Sequence, residues 1–500
     1  MRRSRVIATA ALAVLVALVA TGILAVVGVL EWPANWWPAD SSDPTGGSTP
    51  SASATDPSAT DPSATDPAVT EPPAELALPS AGALTPVLPS ADGPAPDPDA
   101  VRAALAPLLR DADLRRHTGV LVRDLMGDRE VLRVGDDDPF VPASTLKLLT
   151  SAAVLSELGP DNRFVTTVVR AAGRPGATPT AVLVGGGDPL LATSTESAEL
   201  HGYPPGATIA ALAGQTARNL RANGVRTARV GFDETLFAGR SEAASWEPSY
   251  VADAVVSPIS ALLLDGGQLG AGGPGPARAA ADALVQALRA RGVDVVGGAP
   301  RATRTLGDAE VLAQAASPAL ADIVEYVLQV SDNEGAEVLL RHVGLATARP
   351  GSFGGGVAGV REVLSQLGVP FGAITMYDGS GLSRGNRVSL AALGQVLQLG
   401  ADAQHPELRT ITAGLPVARF SGSLAERFVD PRTAAGRGVV RAKTGTLSQV
   451  QSLAGTVVTR DGTLLGFAVL TDRIRLADNL DARQRIEEVA AVLAACGCHG

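Results

Sequence analysis

The sequence predicts an α/β fold of the α+β kind: an antiparallel sheet with helices on both faces, and a second domain inserted into it. Two observations support this prediction. Residues 438–472 contain three β-type runs, and an Asp461-Gly462 turn joins the last two, a pattern typical of an antiparallel meander. Helical patterns lie near both ends of the globular part, at 99–111 and 480–495, so helices are available to cover both faces of the sheet.

A hairpin and a second helix are predicted after the first helix. Residues 117–135 alternate between apolar and polar side chains and turn at 126–128, which predicts a β-hairpin. Residues 142–159 predict a helix that begins at Pro142 and ends at Gly159, because proline is tolerated in a first turn and glycine often ends a helix.

The middle of the chain predicts an insertion. Residues 160–310 mix short strand patterns with helical ones, unlike the segments on either side. The strand patterns are at 180–191 and 228–237, and the helical patterns at 208–224 and 278–292. Beyond the insertion, residues 317–344 predict two helices interrupted at 331–333.

The N-terminus predicts a membrane anchor. Three arginines precede an uncharged, mostly apolar run of 25 residues, 6–30, and three of the four tryptophans follow within 32–37. A bilayer core needs about 20 apolar residues, and clustered Trp is typical of the membrane interface. The arginines before the run place the N-terminus in the cytoplasm and the remainder outside. A cleaved signal peptide is the alternative, and either segment implies export.

A linker is predicted between the anchor and the globular part. Residues 38–97 are rich in Pro, Ser, Thr, Ala and Asp, with three consecutive SATDP repeats at 53–67. Such a segment buries too little apolar surface to fold. The predicted organisation is an anchor at 1–37, a disordered linker at 38–97, a main domain at 98–165 and 306–495, and an inserted domain at 166–305.

Charge and histidine placement argue against two classes of protein. Three Arg lie in 1–30, and 31–100 contains 11 acidic residues and no Lys or Arg, which leaves 38 basic and 40 acidic residues in 101–500. That balance gives no basic face for a nucleic acid. The histidines are scattered without the spacing of zinc ligands. They are His117, His201, His342, His405 and His499. We predict no nucleic-acid partner, no metal and no cofactor.

The two cysteines lie close to the C-terminus. Cys496 and Cys498 are followed by His499, so they cannot build a disulfide framework for the whole domain. We expect a frayed tail with incidental thiols, because chain ends are poorly ordered unless they are held. A metal site made of these three residues is the alternative.

Lysine is almost absent from the chain. The sequence has 39 arginines and two lysines, Lys147 and Lys443. An arginine cannot be deprotonated in a protein, whereas a desolvated lysine can give up its proton. Retention of lysine at two positions in so biased a chain therefore indicates chemistry that needs an amine.

Both lysines belong to short motifs. The motifs are Ser144-Thr145-Leu146-Lys147 at the start of a predicted helix, Ser331-Asp332-Asn333 between two helices, and Lys443-Thr444-Gly445-Thr446 on a predicted strand. The i, i+3 spacing places Ser144 and Lys147 on one helical face. A serine hydroxyl is a weak nucleophile that a desolvated lysine can activate. Burial and the like charge of Lys443 would both lower the pKa of Lys147.

Together the three motifs resemble those of the class C low-molecular-mass penicillin-binding proteins, the D-alanyl-D-alanine carboxypeptidase/endopeptidase family. The resemblance covers roughly residues 100–490. It extends to GGGDPLL at 185–191, DGSGLSRGNRVS at 378–389 and SGSLAERF at 421–428. It implies a serine β-lactamase/transpeptidase-like main domain. Without it, GGGDP and DGSG predict only turns.

The resemblance also implies roles for the motif residues. Ser144 would be the acylated nucleophile and Lys147 its base. Ser331 and Asn333 would shuttle the proton and hold the substrate amide. Lys443 would face the terminal carboxylate of the substrate.

Three further residues are implied in substrate binding. Thr444 and Thr446 would receive the same carboxylate, and the backbone N–H groups of Ser144 and Thr446 would form the oxyanion hole. Gly445 suits a strand where substrate approaches the backbone closely.

The function that follows from the resemblance is an exported serine DD-peptidase. It would cleave D-alanyl-D-alanine or D-alanyl-meso-diaminopimelyl bonds of peptidoglycan stem peptides through an acyl-enzyme, with β-lactam antibiotics as inhibitors. The balance of carboxypeptidase and endopeptidase activity stays open. Two alternatives remain: a β-lactamase, although no E-x-x-L-N stretch supplies a deacylating Glu, and a catalytically silent wall-binding protein.

Overall fold

The structure is a computed structural model. It describes residues 93–499 apart from 111–116, 136–137, 172–175, 201, 271–272, 274, 299, 303–308 and 373. The predicted anchor at 1–37 and nearly all of the predicted linker at 38–97 lie outside the described residues. Along the described part of the chain, no helix combines the length and the apolar character needed to cross a membrane.

The described residues form both strands and helices. The strands are β1 (Thr118–Asp124), β2 (Arg129–Val134), β3 (Val165–Arg170), β4 (Thr180–Val184), β5 (Thr227–Asp233), β6 (Asp294–Val295), β7 (Arg301–Ala302), β8 (Glu310–Ala316), β9 (Val440–Leu447), β10 (Val450–Val458) and β11 (Leu464–Thr471). The helices are α1 (Pro98–Leu109), α2 (Lys147–Leu158), α3 (Thr195–Leu200), α4 (Ile209–Ala222), α5 (Pro276–Arg289), α6 (Leu320–Val330), α7 (Asn333–Ala346), α8 (Phe353–Gln366), α9 (Leu390–Ala401), α10 (Thr410–Ala413) and α11 (Asn479–Ala495).

The main sheet has five strands in the order β2-β1-β11-β10-β9, and all neighbours are antiparallel. Successive residues of β1 enter different cores, because side chains alternate across a strand. Leu121 joins a cluster with α2, α6, α7, α8 and α9, whereas Val120 and Val122 join one with α1 and α11. The predicted antiparallel sheet with helices on both faces is confirmed.

A second sheet lies in the middle of the chain, in the order β6-β5-β4-β3-β8 with β7 paired to β5. It is mixed: β3 is antiparallel to β4 and β8, whereas β4, β5 and β6 run parallel. Its apolar residues form a core of their own with α4 and α5. The sheet begins at Val165 and ends at Ala316. An inserted domain bounded at 166 and 305 stays a prediction.

Several local predictions are confirmed. The hairpin forms from β1 and β2, and its turn is fixed by Asp124, whose Oδ1 accepts the N–H groups of Met126 and Gly127. The helix at 142–159 ends at Gly159, which has φ of 76°. Its start differs from the prediction: a 3-10 turn at Ala143–Leu146 comes first, and the α-helix begins at Lys147.

The expectation of a frayed C-terminus is wrong. Cys496 and Cys498 are buried in the core cluster around α1 and α11, and their sulfur atoms form a disulfide. The carbonyl of Cys498 accepts the N–H of Asp97 at 2.6 Å. A position near a chain end favours disorder only when nothing holds the segment, and here burial of both cysteines in the core holds it in place.

Candidate active site

Ser144 lies in the 3-10 turn that leads into α2. The carbonyl of Pro142 holds this turn, because it accepts the hydroxyls of Thr145 and Ser452, each at 2.7 Å. The first residue of the turn, Ala143, has φ of 48°, a left-handed conformation that residues other than glycine rarely adopt. The turn has about three residues per revolution, so side chains at i and i+3 eclipse one another. Ser144 and Lys147 are therefore closer together than in an α-helix.

The amine of Lys147 is surrounded by three oxygens. Its Nζ lies 2.9 Å from Ser144 Oγ, 2.8 Å from Asn333 Oδ1 and 2.8 Å from the carbonyl oxygen of Ser380. These oxygens satisfy three donors of an ammonium. A neutral amine fits equally well, because it can donate to Asn333 and Ser380 and accept the Ser144 hydroxyl proton. The same geometry thus serves both protonation states.

Burial sets the protonation of Lys147. The side chain has no solvent exposure, and this burial lowers its pKa to about 8, against the opposing effect of the acidic neighbours Glu337, Asp332, Asp378 and Glu334. About one molecule in ten then carries a neutral amine at pH 7. Lys147 is therefore available as a base near neutral pH.

A left-handed residue turns the chain between α6 and α7. Ser331 follows the last residue of α6 with φ of 61° and ψ of 38°, and Asn333 begins α7. Such a conformation costs about 1–3 kcal/mol in a residue with a side chain and is common at functional sites. As a result, Ser331 Oγ accepts a hydrogen bond from Lys443 Nζ at 2.8 Å. The side chain of Asn333 contacts Lys147, and its Nδ2 donates to the carbonyl of Val255 at 2.9 Å.

Lys443 is buried on β9. It has no solvent exposure, and both burial and the charge of Lys147 hold its pKa well below the ordinary lysine value. Its Nζ also donates to the carbonyl of Thr444 at 2.9 Å. The structure therefore places the two lysines of the chain close enough for their charges to interact.

β9 is an edge strand, which leaves backbone groups available to an extended ligand. The segment around Val417 covers its outer edge only as far as Ala442. Beyond that point, Thr444 Oγ1 donates to Ser423 Oγ at 2.9 Å and Thr446 Oγ1 to Gln451 Oε1 at 3.1 Å. Thr446 is exposed.

Gly445 brings β9 against the nucleophile turn. A Cβ at this position would lie 2.1 Å from Ser452 Oγ, 2.8 Å from the carbonyl oxygen of Pro142 and 3.1 Å from the Ser144 nitrogen. The structure thus gives a second reason for glycine here, besides approach of a substrate: any side chain would push the strand away from Ser144.

A cleft of about 540 Å³ opens above these groups. Its walls include residues from all three motifs, from the segment 247–255 and from the turn after β9. The lining residues are Ser144, Glu247, Ser249, Tyr250, Val255, Ser331, Asn333, Leu382, Arg384, Thr446, Leu447 and Ser448. Neither lysine lines the cleft, so both amines act from beneath its floor.

Sequence reasoning missed the network that supports Lys147. The carboxylate of Glu337 accepts the backbone N–H groups of Gly379 and Ser380, each at 2.8 Å, and the carbonyl of Ser380 accepts Lys147. Asp378 shapes the same loop by accepting Trp246 Nε1 at 3.0 Å and Asn386 Nδ2 at 2.7 Å. The pattern in the sequence that indicates this network is an acidic residue, Glu337, in a largely apolar helix, together with the DGSG segment.

The two glycine-rich segments form turns, as predicted. DGSG folds as the tight loop just described, with Ser380 fully buried and so not a second nucleophile. In GGGDP, Gly187 has φ of 70° and its carbonyl lies 2.9 Å from His342 Nε2. Burial lowers the pKa of His342 to about 4. This histidine is a neutral core residue.

Comparison with known proteins places this site in a family. The model of the D-Ala-D-Ala carboxypeptidase 3 (S13) family matches residues 101–272 and 274–495. A carboxypeptidase of Mycobacterium tuberculosis is 34% identical over 82% of this chain and 87% of its own length. Carboxypeptidase DacB of Mycolicibacterium smegmatis is 33% identical over 81% of this chain and 86% of its own.

A solved structure supports the fold. Penicillin binding protein 4 of Haemophilus influenzae superposes with a TM-score of 0.62 at 20% identity, covering 77% of this chain and 97% of its own. The predicted serine β-lactamase/transpeptidase-like fold is confirmed. The predicted family and enzyme class, a serine-type carboxypeptidase, are confirmed as well: the chain belongs to the D-Ala-D-Ala carboxypeptidase 3 (S13) family.

Proposed function

We propose that the protein is an exported serine DD-peptidase that acts on peptidoglycan stem peptides through an acyl-enzyme and is acylated by penicillins. The observation that carries the proposal is the distance of 2.9 Å between Ser144 Oγ and the fully buried amine of Lys147. A serine activated by a desolvated amine is suited to acyl transfer.

In the acylation step, neutral Lys147 takes the proton of the Ser144 hydroxyl as Oγ attacks the carbonyl of the penultimate D-Ala. The backbone N–H groups of Ser144 and Thr446 stabilise the oxyanion that forms. Such donors are effective because they are fixed before the reaction begins.

The terminal D-Ala leaves after its nitrogen is protonated. Ser331 gives this proton, since its Oγ faces the cleft and lies 2.8 Å from Lys443 Nζ, which can replace the proton. Lys443, Thr444 and Thr446 hold the carboxylate of the leaving residue. The pKa of Lys443 is lowered in the empty site, and an arriving carboxylate would raise it. The positive charge would then be strongest when substrate is bound.

Deacylation returns the enzyme to its initial state. After acylation Lys147 carries the proton of Ser144, and Lys443 has given one up, so this step is the reverse of the first. Water takes the place of the leaving amine and transfers a proton through Ser331 to Lys443 as it attacks the ester. Lys147 returns its proton to Ser144 Oγ as the ester bond breaks and the shortened peptide is released. Asn333 keeps the acyl amide in position, because its side chain is held on two sides, by Lys147 and by Val255. We expect the penicilloyl ester to hydrolyse slowly, which separates this protein from a β-lactamase.

Export is part of the same proposal. Peptidoglycan lies outside the cytoplasm, and the apolar run with its preceding arginines is an export signal on either interpretation. We propose that residues 1–37 anchor the protein in the membrane and that the linker lets the peptidase reach the wall.

The test uses the full-length protein. Fluorescent penicillin should label the wild type at Ser144 and leave Ser144→Ala unlabelled, and nitrocefin should turn over only slowly. Mass spectrometry of digested muropeptides then decides the reaction: loss of one D-Ala means carboxypeptidase, and conversion of dimers to monomers means endopeptidase. A protein that neither takes the label nor changes any muropeptide would refute the proposal and favour a silent wall-binding protein.

A further inference from the structure

A histidine and an acid face each other at one end of the main sheet. The pairing of β1 with β11 ends at Thr118 and Thr471, so His117 and Asp472 are the next residues in the same register. The backbone N–H of Asp472 donates to the carbonyl of His117 at 3.1 Å. Both side chains are buried, and neither lines the active-site cleft. The pair lies outside the three motifs.

The imidazole of His117 is held in one orientation. Its Nδ1 lies 2.5 Å from Asp472 Oδ1, and it is the donor because a carboxylate can only accept. The ring of Phe140 stacks on the imidazole with the ring centroids 4.2 Å apart. Two backbone hydrogen bonds of 2.9 Å join Phe140 to Val388 and hold that ring in place. The acid and the aromatic ring therefore fix the imidazole together.

The second oxygen of Asp472 contacts the segment that carries the nucleophile. Oδ2 accepts the backbone N–H of Val141 at 2.9 Å. Val141 immediately precedes Pro142, whose carbonyl holds the 3-10 turn, and Ser144 follows three residues after Val141. His117 is thus connected to the nucleophile through one carboxylate and one short segment of backbone.

The nucleophile turn needs to be held from outside. Ala143 has φ of 48°, and such a conformation persists in a residue with a side chain only when its surroundings impose it. The same turn sets the distance of 2.9 Å between Ser144 Oγ and the amine of Lys147. In the proposed function it also places the oxyanion N–H of Ser144, and such donors act because they are fixed beforehand. A shift of the turn would therefore slow acylation.

His117 is the group that orients the acid. The other cation near Asp472 is Arg473, whose Nε lies 3.8 Å from Oδ1 and whose side chain is 66% exposed. Pairs that involve an exposed side chain contribute little. The buried imidazole holds Oδ1, which leaves Oδ2 directed at the N–H of Val141. Hydrogen bonds to an ionised carboxylate are stronger than neutral ones.

We propose that His117 and Asp472 are positioning residues for acylation: the imidazole orients the carboxylate, and the carboxylate fixes the turn that carries Ser144. This inference rests on the proposed function and adds to it two residues outside the motifs. Because neither side chain lines the cleft, their effect should be on the rate of the chemical step and not on the binding of penicillin or peptide.

The test measures penicillin acylation of the full-length protein. Labelling time courses over a range of fluorescent penicillin concentrations give the acylation rate at saturation and the dissociation constant of the non-covalent complex. The variants are His117→Asn, His117→Gln, Asp472→Ala and the double variant His117→Gln/Asp472→Ala. The amide nitrogen of Asn takes the place of Nδ1, whereas that of Gln lies one bond further out. His405→Gln is the matched control, because His405 pairs with Glu407 at 3.0 Å outside the nucleophile turn.

We expect His117→Gln to slow acylation at saturation about 10-fold, the effect of one charged hydrogen bond. The dissociation constant should stay within about 2-fold of the wild-type value, since the change affects only the chemical step. His117→Asn should retain most of the rate, because it restores the donor. Asp472→Ala should lose at least as much as His117→Gln. The double variant should be no slower than Asp472→Ala, since the imidazole acts through the acid. His405→Gln should keep the wild-type rate.

Thermal melting establishes which variants are folded at the assay temperature. If His117→Gln or Asp472→Ala does not fold, Asp472→Asn takes its place, because it keeps the shape and one acceptor oxygen and loses the charge. Its acylation rate should fall about 3- to 10-fold, since a neutral acceptor holds the Val141 N–H less strongly. An unchanged rate in folded Asp472→Asn would overturn the proposal.

Other results would also overturn it. They are a wild-type rate in folded His117→Gln, equal losses in His117→Asn and His117→Gln, additive losses in the double variant, or a change confined to the dissociation constant. A pair that serves stability alone would lower the Tm and leave the acylation rate of the folded protein unchanged. If the wild type takes no label, the proposed function fails together with this inference. A labelled wild type with equally fast variants refutes the positioning role alone.

Discussion

The carboxylate of Glu337 accepts the backbone N–H of Ser380 at 2.8 Å, and the carbonyl of the same Ser380 accepts the amine of Lys147 at 2.8 Å. The acid and the lysine are thus connected through one residue of the DGSG loop. Because Glu337 is fully buried, its carboxylate has no competing water and fixes the loop firmly. The position of the base depends on a helix residue that does not line the cleft.

Glu337→Gln should therefore slow acylation. A Gln side chain keeps one acceptor oxygen but turns an NH₂ group toward a backbone N–H, so one of the two hydrogen bonds is lost at a cost of about 1–3 kcal/mol. We expect the penicillin acylation rate to fall about 10- to 100-fold. Burial raises the pKa of Glu337 to about 8, but both of its oxygens accept backbone N–H groups, which favours the ionised carboxylate. That negative charge raises the pKa of Lys147, so the rising limb of the pH profile should also move to lower pH in the variant. An unchanged rate and profile would remove Glu337 from the mechanism.

Substitution of the two lysines by arginine should separate their roles. Both side chains are fully buried, so the larger guanidinium strains the two positions alike and each variant is a control for the other. Arg cannot give up a proton. We expect Lys147→Arg to lose at least the roughly 10²–10⁴-fold typical of general base catalysis. Lys443→Arg should retain measurable acylation, because a cation still faces the carboxylate. Full labelling of Lys147→Arg would show that the amine is not the base.

The rate of acylation should depend on pH through Lys147. The base is the neutral amine, so the rate should rise with pH and level off above an apparent pKa of about 8. The lowered pKa of Lys147 also affects the stability of the protein. Between about 8 and 10.5 the folded protein binds fewer protons than the unfolded chain, so the free energy of unfolding should rise with pH in that interval. A flat rate profile from about pH 6 to pH 9 would contradict the assignment of the base.

The parts of the fold and site that are local in sequence were predictable. The three motifs, the hairpin and the break between α6 and α7 each depend on residues a few positions apart. The network around Lys147 was not predictable in this way, because Glu337 contacts a loop more than forty residues away. No single-sequence pattern specifies such a contact. The left-handed conformations of Ala143 and Ser331 were missed for a related reason: neither residue type signals a positive φ.

Gly445→Ala should reduce acylation without unfolding the protein. The added methyl group would lie 2.1 Å from Ser452 Oγ and 2.8 Å from the carbonyl oxygen of Pro142, so β9 must move away from Ser144. Overpacking of this kind costs about 1–3 kcal/mol, and a shift of the oxyanion N–H of Thr446 adds a loss of about 10²-fold in rate.

A second variant tests the steric cause. Adding Ser452→Ala to Gly445→Ala removes the closest clash, and the double variant should recover part of the lost rate. The Ser452→Ala single variant is the matched control, since it loses only the hydrogen bond to Pro142. Because the two residues are in contact, the double variant should lose less rate than the product of the two single-variant losses predicts. Strictly additive losses would show that the clash is not the cause.

The last prediction concerns where the folded domain begins. A fragment starting at residue 93 should be more stable than one starting at residue 98. The five residues between them are bonded to the domain at several points: Gly93 N–H to the carbonyl of Gly462 at 3.2 Å, the carbonyl of Pro94 to Thr463 Oγ1 at 2.8 Å, and Asp97 N–H to Cys498.

Asp97 also caps α1, because its Oδ1 accepts the N–H of Asp99 at 2.9 Å. A lost cap costs about 1 kcal/mol, and each lost hydrogen bond about 1 kcal/mol more. Calorimetry of both fragments should therefore show a Tm lower by a few degrees in the shorter one, since about 1 kcal/mol corresponds to roughly 1 °C in a domain of about 400 residues. Both fragments should bind fluorescent penicillin, because every motif lies beyond Asp97. Equal Tm values would mean that residues 93–97 do not belong to the folded unit.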